Sequence, residues 1–193
     1  MENEIKNRID RIYEAIGETV EWDVSKFETT VSQDGNMISE TLSFKGEVSN
    51  AAIGNRAQMA IMNVAHFKDH LAKLLKKLNK NKKEIKSAIE KSFELQVILD
   101  LSNLEKHGIS EHDKKNYSGK NPKLINLTRA LRVGFAYAPE AHVAISADIV
   151  DEDGNKIGDL LVFLERALLV WEELLKGCGF DEGFNAVSEE GAS

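Results

Sequence analysis

Four hydrogen-bonding side chains, Gln96, Asp100, Asn103 and His107, recur at spacings of four, three and four within FELQVILDLSNLEKHG, residues 93–108. At about 100° per residue they fall within roughly 60° of arc on a helix. Phe93, Val97, Leu101 and Leu104 lie along one flank of this seam, and Leu95 and Leu99 lie beyond the other. A narrow polar seam bordered by apolar surface can line a cleft. Asp100 and Asn103 would then position His107, whose imidazole titrates near neutral pH and suits acid–base work. The same seam also reads as a solvated helix edge, as a set of bonds to a neighbouring loop, or as a satisfied polar network in the core.

A second feature is charge. From Lys68 to Lys91 there are nine lysines and three acids, Asp69, Glu84 and Glu90, an excess of six in a chain of net charge −7. The basic patch Lys73, Lys76, Lys77, Lys80, Lys82 and Lys83 could hold phosphates or an acidic partner. No aromatic residue interleaves these lysines, which argues against base stacking within the segment. Leu71, Leu74, Leu75 and Leu78 give the segment a core face, so a solvated lysine surface is the plain alternative.

Other chemistry has less support. His66 and His70 stand at i and i+4, as helical metal ligands do, but Phe67 occupies the place of the zinc-protease glutamate and no third ligand follows. Neither a metal nor a cofactor is expected. The nucleotide-binding and nucleophile-elbow glycine motifs are absent. DEDGN, residues 151–155, reads as a hairpin turn, because the later calcium-loop positions do not follow. Cys178 has no histidine close in sequence and does not read as a nucleophile.

The elements that must position these residues follow from periodicity. Ile5, Ile9, Ile12 and Ile16 make one helical stripe closed by Gly17. A β-hairpin is predicted over 20–32 and 37–48, with Asp34-Gly35 in its turn. A helix is predicted from Asn50 to Leu78 and another over 82–106, with Gly108 as its cap. Residues 108–123 read as a polar loop. LINLTRALRVGFAY and HVAISADIV read as strands, and KI, residues 156–157, as a short one. A last helix, capped by Asp159 and ended by Gly177, is apolar around most of its girth and therefore central, with Trp171 as a core anchor beside Trp22. The fold class is α+β: a helical bundle with an N-terminal β-hairpin and a second small antiparallel sheet before the last helix. Residues 1–176 form a single domain, and 177–193 form an acidic C-terminal tail.

The 193 residues, 42% hydrophobic and 30% charged, fit one globular domain with a substantial core. The single cysteine excludes an intrachain disulfide and, with no secretory leader, favours the cytoplasm. The apolar run LLVFLERALLVW is interrupted by Glu165 and Arg166 and is too short to span a bilayer. The net negative charge argues against a general nucleic-acid coat.

The order of elements together with VILDLSNLEKHG, and with LLVWEELL on the last helix, resembles bacterial HEPN-like proteins over residues 50–176. Asp100, Asn103, Lys106 and His107 fit the Asp, Asn and His pattern carried on a late helix of that superfamily. The resemblance implies a helical bundle, a homo-oligomer or protein partner, and a place in a bacterial or phage stress or defence system. Members that cut RNA place a His four to six residues after an Arg. Here Arg56 and His66 are separated by nine residues, and so are Arg132 and His142. The leading expectation is therefore a non-catalytic interaction protein that binds through the seam, with Gln96, Asp100, Asn103, Lys106 and Arg129 as contacts; the Lys-rich segment could add an anionic contact, RNA being one candidate. One alternative is a metal-independent ribonuclease with His107 as acid–base group and Lys106 or Arg129 on phosphate. Another is a purely structural oligomer subunit.

Overall fold

A computed structural model describes residues 2–19, 27–34, 37–44, 50–107, 116–132 and 142–180, with side chains over 5–14, 50–104, 116–128 and 145–180. Helix α1 (Glu2–Ile16) buries Ile5, Ile9 and Ile12, the stripe that its spacing sets on one face. Strand β1 (Gly17–Thr19) follows directly. Strands β2 (Phe27–Asp34) and β3 (Met37–Phe44) pair antiparallel from Phe27↔Phe44 to Asp34↔Met37, which is the expected N-terminal hairpin. Trp22, Gly35 and the outer hairpin residues 20–26 and 45–48 lie outside the described residues.

Helix α2 (Asn50–Lys77) runs 28 residues, close to its predicted limits. Its end is reversed at Asn79, whose φ of 53° is one that asparagine tolerates better than most residues. The Lys80 N–H donates to Leu75 O at 2.8 Å and the Asn79 N–H to Lys76 O at 3.3 Å, the paired bonds of a left-handed helix stop.

The predicted helix over 82–106 is two helices. Strand-like backbone at Ser92 (φ −115°, ψ 111°) divides α3 (Lys83–Lys91) from α4 (Phe93–His107). The Ser92 hydroxyl accepts from the Leu95 N–H at 3.2 Å, so this serine starts α4 as its N-cap. Apolar spacing continues across the break, which is why periodicity alone joins the two helices.

Strands β4 (Lys123–Arg132), β5 (His142–Val150) and β6 (Lys156–Asp159) form the second antiparallel sheet. β5 is central: β4 lies on one edge, while β1 and β6 pair with opposite ends of the other. A bulge between Ile125 and Thr128 holds Asn126 at φ 53°. DEDGN is a turn, with the Asp151 carboxylate accepting from the Asn155 N–H at 2.8 Å and Gly154 at φ 85°.

Helix α5 (Leu160–Gly177) leaves the sheet through Asp159, which accepts from the N–H groups of Leu161 and Val162. The Phe163 ring lies over Gly158, where a Cβ would overlap it. The helix buries Leu160, Leu161, Leu164, Ala167, Leu168, Trp171 and Leu175, and so forms the bundle axis. Trp171 is fully buried and donates its indole N–H to Val64 O at 3.0 Å, anchoring α5 to α2. α5 ends at Gly177, as expected, and the left-handed residue that closes its last turn is Gly179, at φ 89°. The Gly179 N–H donates to Lys176 O at 2.9 Å and the Phe180 N–H to Leu175 O at 3.2 Å. Gly177 stays helical, because a left-handed residue two positions later closes the turn.

Candidate functional site

The reversal at Asn79 folds α3 back beside α2, and the break at Ser92 turns α4 away from α3. An open cleft of about 510 Å³ lies among these three helices and the loop before β4. Lys68, Asp69 and Ala72 of α2 line one side; Lys82, Ile85, Lys86, Ile89 and Glu90 of α3 and its approach line the other. Gln96 of α4 and the loop residues Asn116 and Tyr117 complete it. Ile85 and Ile89 are buried and give the cleft an apolar floor with Ala72.

Gln96 lines this cleft and also builds it. Its amide nitrogen donates to Ile89 O at 2.9 Å, which also accepts the Ser92 N–H, and to Glu90 O at 3.1 Å, so it caps the end of α3. Asp100, one turn further along, is buried and accepts three hydrogen bonds from the loop. The Tyr117 N–H donates at 2.7 Å, the Ser118 N–H at 2.8 Å and the Ser118 hydroxyl at 2.6 Å. Both carboxylate oxygens are engaged, so Asp100 fixes the loop that carries Tyr117 into the cleft wall.

That loop is tied at its far side as well. Asn116 accepts from the Gly119 N–H at 2.6 Å and donates to Asn121 at 2.8 Å. Asn121 in turn donates to Glu152 at 2.8 Å, in the turn between β5 and β6. The Lys68 ammonium stands 5.7 Å from the centre of the Tyr117 ring, a cation–π distance. An aromatic side chain therefore does reach the lysine-rich segment. It comes from a loop far along the chain, and no spacing within 68–91 signals it.

The rim carries the ammonium groups of Lys68, Lys82 and Lys86 and the carboxylates of Asp69 and Glu90. Lys86 and Glu90 pair at 3.5 Å along α3, an exposed contact of small energetic weight. Of the basic patch, Lys82 lines the cleft, whereas Lys73, Lys76, Lys77, Lys80 and Lys83 are exposed outside it. Lys80 donates to Gly177 O at 3.2 Å, beside the end of α5.

The seam is thus divided in use. Gln96 and Asp100 are brought to one cleft, and Asn103 is half-buried further along α4. His107 is the last residue of α4 and Lys106 precedes it; Arg129 lies on β4 opposite Ile145. The side chains of Lys106, His107 and Arg129 lie outside the described residues. Lys68, Lys86 and Tyr117 are cleft residues that were not among the predicted contacts, because their neighbourhood is made by the two chain reversals.

Among the described residues, no three His, Cys, Asp or Glu side chains gather as a metal-ligand set, and no helix is long and apolar enough to cross a membrane. Burial pushes the Cys178 thiol above its ordinary pKa, the opposite of activation. A second buried carboxyl group, Glu172 of α5, accepts from the Tyr13 hydroxyl of α1 at 2.5 Å. Burial first, and then this bond, push the Tyr13 pKa well above the usual tyrosine value. Compared with family models, curated proteins and solved structures, the chain matches none.

Proposed function

We propose that this is a non-catalytic, HEPN-like interaction protein whose docking site is the lysine-rimmed cleft framed by the seam of α4. The observation that carries the reading is the engagement of Asp100. A carboxylate that accepts from Tyr117 and Ser118 through both oxygens serves to position a wall of the cleft. The rim and the apolar floor favour a protein segment bearing acidic and apolar side chains. Resemblance extends the proposal to a cytoplasmic, oligomeric component of a bacterial or phage stress or defence system.

Two measurements test this. Incubated with RNA and a chelator, the parent protein should degrade no more than its His107→Ala variant does. Cleavage that depends on His107 would replace the reading by the ribonuclease one. A protein identified as co-purifying with the parent should be lost from a Lys68→Glu, Lys82→Glu variant of unchanged melting temperature. It should be retained by Lys123→Glu, an exposed change away from the cleft. Retention by the cleft variant, or capture of RNA in place of a protein, overturns the proposal.

A further inference from the structure

The position and charge of the chain beyond α5 point to an occupant for the cleft. Residues 181–193, DEGFNAVSEEGAS, contain Asp181, Glu182, Glu189 and Glu190 and no Lys or Arg. They follow Phe180, which the turn at Gly179 places against the core. Their point of departure is fixed beside the lysine tip, where Lys80 holds Gly177 O at 3.2 Å. The cleft begins at Lys82, two residues on from Lys80. An extended segment covers at most about 3.3–3.6 Å per residue, so thirteen residues reach on the order of 40 Å.

The chemistry is complementary in both respects. The cleft is lined by three lysines, Lys68, Lys82 and Lys86, against two acids, Asp69 and Glu90, and lies beside the exposed lysines of α2 and α3, while 181–193 carries four acids. On the rim, Glu90 is paired with Lys86; the other lining cations are Lys68, which stands over the Tyr117 ring next to Asp69, and Lys82. Phe184 and Val187 offer apolar groups for the floor made by Ala72, Ile85 and Ile89. We propose that residues 181–193 occupy the cleft of their own chain, so that an external acidic partner binds by displacing them. This rests on the cleft being the docking site. Attachment makes the contact intramolecular, and a high effective concentration offsets a weak intrinsic affinity.

The test uses the full chain and a fluorescent peptide of residues 181–193, followed by anisotropy. In one variant the chain's own segment is neutralised by Asp181→Asn, Glu182→Gln, Glu189→Gln and Glu190→Gln. The peptide should bind this variant about tenfold or more tightly than it binds the parent, because its competitor is gone. Adding Lys68→Glu and Lys82→Glu to the neutralised chain should abolish binding, whereas adding Lys73→Glu and Lys76→Glu should change it by less than about twofold. Raising salt from about 0.05 M to about 0.5 M should weaken binding. Equal affinity for parent and neutralised chain overturns the proposal, as does equal loss from the two lysine pairs. An advantage that vanishes on diluting the parent assigns the segment to a second copy and overturns the intramolecular form. Since no external partner enters the titration, its failure leaves the co-purification result standing, and the reverse holds too.

Discussion

Two helix junctions bury a carboxyl group, and they do so for different ends. At the junction of α4 with the loop before β4, Asp100 takes three donors from residues 17 and 18 positions along, two of them backbone N–H groups. At the junction of α1 with α5, Glu172 takes the Tyr13 hydroxyl from 159 positions away. The first arrangement fixes the path of a loop and hence one wall of the cleft. The second ties the N-terminal helix to the bundle axis and lies outside that cleft. A buried acid therefore marks a site only when what it organises also lines one.

The largest expected effect separates these roles. Asp100→Ala leaves two backbone N–H groups without their acceptor and should cost about 3 kcal/mol in denaturant unfolding. It should also weaken docking at the cleft, since Tyr117 loses its support. If Asp100→Ala unfolds at the parent midpoint, the loop is held by other means and the contrast fails.

Tyr13→Phe should cost about 1–2 kcal/mol and leave docking unchanged. Its pH dependence sharpens the comparison. The folded pKa of Tyr13 is raised, so its contribution is fully present below about pH 10, the usual tyrosine value, and is lost as pH rises through the folded value. Parent and variant melting temperatures should therefore converge in alkali. A gap that stays constant with pH would show that the hydroxyl contributes through packing alone.

The smallest effect belongs to an exposed pair between α4 and α5. Arg166 donates to Glu94 at 2.8 Å, and this bond holds the Glu94 carboxyl below its usual range. Arg166→Gln should cost less than about 1 kcal/mol, because solvent and salt screen the pair. The contribution is present above about pH 4.3, the ordinary glutamate value, and is lost as pH falls through the depressed folded value. Thermal melts at neutral and acidic pH would show the difference closing; a difference that persists in acid would assign the loss to the guanidinium stem.

Much of the frame was legible because it rests on local rules. The β5 limits, the start of α2, the Asp159 cap and the placing of the four seam residues on one helix follow from alternation, helical spacing and capping chemistry. The break at Ser92 was not legible. A serine inside an apolar-periodic run is compatible with either a solvated helix position or an N-cap, and the choice is made by how α3 and α4 pack. The end of α5 at Gly177 was legible, but not that Gly179 is the glycine whose left-handed turn closes it. The site itself was half visible. Spacing shows that Gln96 and Asp100 share a face, but not that one holds the end of α3 and the other a loop. Tyr117 belongs to no periodic element, so only the folded chain brings it to Lys68.

The break at Ser92 has a consequence for motion. It leaves α3 with nine residues, the shortest of the described helices, and with two buried side chains, Ile85 and Ile89. A free helix of that length is barely stable, so α3 keeps its form through those two residues and the Gln96 bonds to its last carbonyls. Amide protons of 85–91 should exchange with solvent faster than those around Trp171, through an opening that spares the bundle axis. The wall of the cleft that bears Lys82 and Lys86 is then a separately melting unit, able to admit a segment without unfolding the protein that holds it.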